Sequence, residues 1–180
     1  MGRFASMPTG IVAGAIFALL LVAVCIRDVR FRRIPNQLVA ALAIAGTIYA
    51  LVVLPPPAAV RQVLGGGATA LVVWLPFWLA RVLGAGDVKL AAASGIWLGA
   101  AGAIEAWLIG AAAGGVLALW SLSRHGGLGA GIERFGAWAV ASRVSKAVVP
   151  ELTPRERRIP YGLAIAAGAA VAAWIPGLIW

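Results

Sequence analysis

Cysteine, histidine and acidic residues are the scarce components of this 180-residue chain. Its single cysteine, Cys25, rules out an internal disulfide and a cysteine-based zinc site. Its single histidine, His125, stands in a glycine-flanked stretch with no carboxylate beside it, so no Ser-His-Asp set can be assembled and a solvated loop residue is the plainer reading. Charged residues make up 12% of the chain, about half the share of an ordinary soluble domain, so an extensive water-facing surface is excluded. Aspartate occurs only twice, as Asp28 and Asp87.

Apolar residues fill the rest. The chain is 62% hydrophobic with a mean hydropathy of +0.96, and the apolar residues come in blocks rather than in an amphipathic rhythm. This is an all-α polytopic membrane protein by composition, and spans of about 20 residues leave room for about six helices, short loops and no separate soluble domain. The blocks place spans at Thr9–Ile26, Leu38–Leu54, Val63–Ala80, Val88–Ala101, Ile104–Leu122 and Pro160–Ile179. The fourth is short, contains Lys89 at its beginning and is parted from the fifth only around Gly102, which suits a tilted or partly re-entrant segment. Arg3 and the Leu-Val-Ala-Val-Cys25 stretch imitate a lipoprotein signal, but Val24 is too large for a cleavage site of that kind, and the first block is expected to stay as an uncleaved span.

The net charge of +9 is dispersed over loops that border apolar spans, which fits anionic lipid headgroups better than nucleic acid. Arg27, Arg30, Arg32 and Arg33 follow the first span, Arg81 and Lys89 lie between the third and fourth, and seven more basic residues lie between the fifth and sixth. Cytoplasmic loops retain lysine and arginine, so these three loops are expected in the cytoplasm, with both termini outside and both aspartates at the cytoplasmic face. The longest loop, residues 123–159, holds Phe135, Trp138, Val140 and Val144 among Arg134, Arg143 and Lys146, a pattern for a helix lying in the membrane interface. The eight tryptophans suit interface anchors and helix packing, and Gly110, Gly114 and Gly115 allow helices to approach closely.

Acids at a membrane edge are costly, roughly 2.5 to 3.5 kcal/mol if drawn to a helix centre, and so mark the first place to look for chemistry. Three short segments border the cytoplasmic face: Asp28-Val-Arg-Phe-Arg-Arg-Ile-Pro-Asn36, Gly84-Ala-Gly-Asp-Val-Lys-Leu90 and Ile159-Pro-Tyr-Gly-Leu-Ala-Ile165. Gly84 and Gly86 permit backbone angles closed to other residues and leave space beside Asp87 for an extended peptide. Pro35 limits helix continuation and Asn36 is placed to cap the second span. Lys89 is placed either to bias the carboxylates or to face headgroups. On residues alone, a Gly-x-Gly before a helix is as often a plain loop.

Taken together and in this order, the three segments resemble the type IV prepilin peptidases, membrane aspartic proteases with a Gly-x-Gly-Asp signature. The resemblance implies a catalytic pair, Asp28 and Asp87, with Gly84, Gly86, Lys89, Pro35, Asn36, Pro160, Tyr161 and Gly162 shaping the site or binding substrate. It implies a prepilin or pseudopilin substrate in the inner membrane, cut where a short cytoplasmic leader meets a hydrophobic helix, and it implies no metal and no cofactor. Larger members carry paired cysteines in an amino-terminal cytoplasmic region and methylate the new amine. With Cys25 alone, this chain looks like the short form associated with tight-adherence (Flp) pili, of the CpaA or TadV kind, for which methylation is not expected. Leu163 stands where the family often has proline.

Two acids about 4 Å apart repel by about 4 kcal/mol at an effective dielectric of 20, enough to keep one protonated beside its ionised partner. One then activates water while the other donates a hydrogen bond to the scissile carbonyl, and the pair titrates as a unit that assigns neither role to either residue. A small proton-coupled transporter is the alternative that intramembrane aspartates also fit, although these acids lie at the edge rather than the midplane and the two halves show no inverted repeat. A scaffold subunit would account for the basic loops but not for Gly84-Ala-Gly-Asp87.

Overall fold

The computed structural model describes residues 8–31, 33–80, 83–125, 161–175 and 178, and every regular element among them is helical. Helix α1 runs Pro8–Phe31, α2 Asn36–Val53, α3 Pro56–Leu79, α4 Ala85–His125 and α5 Tyr161–Trp174. Four of these are long and apolar enough to cross a membrane; α5 is a shorter apolar helix. The chain divides into one unit of Met1–Gly114 with Pro160–Trp180 and another of Gly115–Ile159, of which the described part is the end of α4. The expected interfacial helix in residues 123–159 lies outside the described residues.

Proline sets most helix boundaries. Pro8 opens α1, where a missing N–H is harmless. That helix continues beyond the expected end at Ile26 to Phe31, so Asp28 rides on a helix and not in a loop. Arg27 lays its guanidinium 5.1 Å from the centre of the Phe31 ring, one turn on, which helps to hold this end. Pro35, extended at φ −66° and ψ 133°, starts α2, with Leu38 and Val39 N–H groups donating to its carbonyl. Helix α3 starts at Pro56, earlier than the expected Val63, because Pro56 and Pro57 occupy first-turn positions that tolerate proline. A π-helical turn, Arg61–Gly65, sits within it.

Helix α4 departs most from expectation. Its ladder breaks at Gly99, with φ 69° and ψ 178°, a conformation open essentially to glycine. The break was expected around Gly102, which instead is buried inside the second limb. A helix end leaves carbonyls without intrahelical donors. One of them, on Trp97, accepts a hydrogen bond from Gln62 Nε2 at 3.1 Å, so the π turn of α3 supplies the missing partner.

Trp97 also donates from Nε1 to the Leu42 carbonyl at 2.8 Å, and its ring lies 5.0 Å from Phe17 and 5.5 Å from Tyr49 between centroids. Its indole thus ties α4 to α1 and α2, and its backbone carbonyl ties α4 to α3. The indole fits because Gly46 has no side chain: a β-carbon there would lie 2.6 Å from the indole nitrogen. Small residues make the other close crossings, as expected where lipid gives helices no hydrophobic reason to associate. Gly95 of α4 lies against the Gly66 carbonyl of α3, and Gly168 of α5 against the Ala106 carbonyl and Gly110 of α4. Gly110 and Gly114 do pack on α5, whereas a β-carbon on Gly115 would meet nothing within 4 Å among the described residues.

These crossings predict a contrast between neighbours. Gly95→Val, whose β-carbon meets backbone atoms that cannot turn aside, is expected to cost more than the roughly 1–3 kcal/mol of ordinary overpacking. The adjacent Ser94 is 2% exposed and its hydroxyl has no hydrogen-bond partner among the described residues, so Ser94→Ala is expected to stay within about 1 kcal/mol of the native chain. Thermal unfolding in detergent and accumulation in membranes measure both; equal loss in the two variants would contradict the packing account.

Candidate active site

Asp87 is the third residue of α4, and its carboxylate turns back on the helix start. Oδ2 accepts the Gly84 N–H at 3.0 Å, while the Asp87 N–H donates to the Gly84 carbonyl at 3.1 Å. The carboxylate makes the returning half of a capping box, with a backbone carbonyl in place of the cap side chain that glycine lacks, and the positive end of the helix favours a negative charge there. Gly84 and Gly86 do not adopt left-handed angles; among the described residues Gly99 alone has a positive φ. Their use is space. A β-carbon on Gly84 would lie 3.2 Å from Asp87 Oδ2, and one on Gly86 would lie 3.4 Å from the Ile34 side chain.

Asp28, on the last turns of α1, is 7% exposed although α1 ends in exposed arginines. Its carboxylate faces Gly162, the second residue of α5, where a β-carbon would lie 2.6 Å from Oδ2. Asp87 interacts electrostatically with Asp28, and Tyr161 with Asp87. Residues 28, 87 and 161–162 therefore converge from three helices far apart in sequence. Tyr161 also reaches the second limb of α4, 3.5 Å from where a Gly114 β-carbon would be. Since Asp87 opens the first limb, the second limb returns from Gly99 toward the level at which the first begins.

Asn36 and Lys89 meet, though not as expected. The start of α2 has no side-chain cap; instead Asn36 Oδ1 accepts a hydrogen bond from Lys89 Nζ at 3.2 Å. Lys89, expected to face headgroups or bias the acids, thereby ties the first turn of α4 to the first turn of α2. Pro35 holds the extended link that precedes Asn36. Pro160 lies outside the described residues.

Two residues escaped the sequence reading. Ile34 packs its side chain against both Gly86 and Gly162, a contact that no local signal in the sequence marks. Glu105 is completely buried on the second limb of α4. Its signal was available, since it is the one acid inside the expected fifth span.

The arrangement is that of a membrane-embedded helical protein with two carboxylates within electrostatic reach of each other at span ends, beside glycines whose missing side chains make room for them. The type IV leader peptidase family matches residues 15–119, more than half of the chain and both aspartates, and the protein belongs to that family. It is a membrane peptidase whose substrates are of the prepilin kind. No curated protein and no solved structure matches the chain.

Proposed function

We propose that this peptidase removes the cytoplasmic leader of a Flp-like prepilin or pseudopilin at the inner-membrane edge, using Asp28 and Asp87 as an aspartyl dyad. The observation that carries this reading is the approach of two carboxylates from α1 and α4 to within electrostatic reach of each other, Asp28 beside Gly162 and Asp87 beside Gly84, with Ile34 against both Gly162 and Gly86. One aspartate draws a proton from a water molecule, the hydroxyl attacks the scissile carbonyl, and the protonated partner hydrogen-bonds the carbonyl oxygen. An extended peptide is required for attack, so cleavage falls just before the substrate's membrane helix, where glycine ends the leader. Metal-free cleavage without methylation of the new amine completes the proposal. The family match favours it over a transporter.

The assay is purified enzyme with a pilin substrate in detergent or lipid. Cleavage persisting in a metal chelator supports the dyad; complete inhibition reversed by added metal would reject it.

We infer six crossings, with the two limbs of α4 counted separately because the second returns to Tyr161, and both termini outside. Reporters fused after Arg33, Lys89 or Gly127 are expected to read cytoplasmic, and those after Pro57 or at Trp180 exterior. A cytoplasmic carboxyl terminus would require the limbs of α4 to be redrawn as one crossing.

A further inference from the structure

The surroundings of the aspartates are built from absent side chains. Gly84 borders the Asp87 carboxylate, Gly86 precedes it, and Gly162 borders Asp28. One apolar side chain, that of Ile34, reaches two of these glycines. Its Cβ would lie 3.4 Å from a β-carbon on Gly86, and its Cδ1 3.2 Å from one on Gly162. It is half-buried, packed on one side against the helical core and open on the other.

Ile34 is also firmly placed. It stands in the non-helical link of residues 33–35, between the end of α1 and the fixed φ of Pro35. The Lys89–Asn36 hydrogen bond ties the residue just beyond Pro35 to α4. Branching at Cβ restricts the isoleucine to few rotamers. A stiff side chain at such a junction narrows whatever passes between the segments that border Asp28 and Asp87.

Building on the aspartyl-peptidase reading, we infer that Ile34 is a specificity-determining residue: it walls the subsite that receives the last leader residue and restricts that residue to glycine or one nearly as small. Asp28 and Asp87 carry the chemistry; Ile34 touches the substrate residue before the scissile bond and touches no reacting atom. A wall of this kind discriminates by volume, so removing methyl groups from it should change the preference among substrates and not merely the rate.

The test compares wild type, Ile34→Val and Ile34→Ala on three pilin substrates ending their leaders in glycine, alanine or leucine, with kcat/KM measured for each. The glycine-to-alanine preference is expected to fall by about tenfold or more in Ile34→Ala, the usual effect of a methylene or two in an apolar pocket, and by less in Ile34→Val. Ratios unchanged from wild type in Ile34→Val and in any active Ile34→Ala would make Ile34 a spacer and overturn the inference. A second readout is independent of turnover. In an Asp87→Asn, Cys25→Ser background, with a thiol oxidant added to take up the two electrons, Ile34→Cys is expected to form a disulfide with a substrate carrying cysteine at its last leader position, and not with one carrying it five residues earlier. Equal crosslinking of the two positions would equally overturn it. Wild type that cleaves no substrate would instead remove the peptidase reading on which the inference rests.

Discussion

Asp28→Asn and Asp87→Asn are each expected to lower leader cleavage by at least about 10²–10⁴-fold, the usual share of a positioned general acid or base, while leaving insertion and abundance near normal. The amide keeps the shape of the carboxylate and loses the ionisable proton carrier. At position 87 it also keeps an oxygen able to accept the Gly84 N–H, so the start of α4 retains its reciprocal pair. At position 28 it replaces a carboxylate that is 7% exposed with a neutral group of equal volume, which a buried site tolerates at least as well. Because both acids serve one step, the double variant should be little worse than either single one. Purified variants assayed against a pilin substrate, with detergent-solubilised yield as the folding control, measure this. Normal processing by either variant, with no other peptidase present, would rule out the dyad.

The parts of this fold that could be read from sequence are those that depend on composition or on local chain chemistry. Apolar blocks marked α1, α2 and most of α3, and two aspartates in a chain of few acids drew attention to residues that the fold does bring together. The unread parts are relations between distant residues. Nothing near Trp97 says that its indole reaches Leu42, that its carbonyl takes a proton donor from Gln62, or that Gly46 must stay small to admit it. The break in α4 fell at Gly99 rather than Gly102 because a stretch with several glycines offers several places to turn; the one chosen is where the Gly66–Gly95 crossing ends and Gln62 can serve the exposed carbonyl. Its place after a proline suits Asn36 to a cap, but Lys89, more than fifty residues away, claims its oxygen. Gly84 and Gly86 suit both unusual backbone angles and space beside Asp87; the fold leaves the angles ordinary and uses the room, beside a carboxylate and an isoleucine.

Room is also the reason to expect a large effect from a single methyl group at position 162. In Gly162→Ala the new β-carbon would stand 2.6 Å from Asp28 Oδ2 and 3.1 Å from its Cγ, with Ile34 Cδ1 at 3.2 Å on another side. The helix backbone of α5 does not yield easily, because Gly168 and Ala164 lock it against Ala106 and Gly110 on the second limb of α4. The buried Asp28 side chain must therefore rotate or shift away, and a displacement of about 1 Å at a reacting group is enough to cost about 10²-fold in rate. Gly162→Ala is expected to lower kcat by about that factor, with the substrate's KM and the thermal midpoint changed far less. Gly115→Ala is the matched control: its β-carbon meets nothing within 4 Å among the described residues, alanine favours a helix over glycine, and activity and stability should be unchanged or slightly improved. If Gly162→Ala cleaves at more than half the wild-type rate, Asp28 has freedom that this packing denies it, and the tight seat assigned to its carboxylate is wrong. If it instead fails to accumulate while Gly115→Ala does not, the contact governs folding rather than the placement of the acid. A loss confined to kcat identifies Gly162 as the residue whose missing side chain lets Asp28 face Asp87.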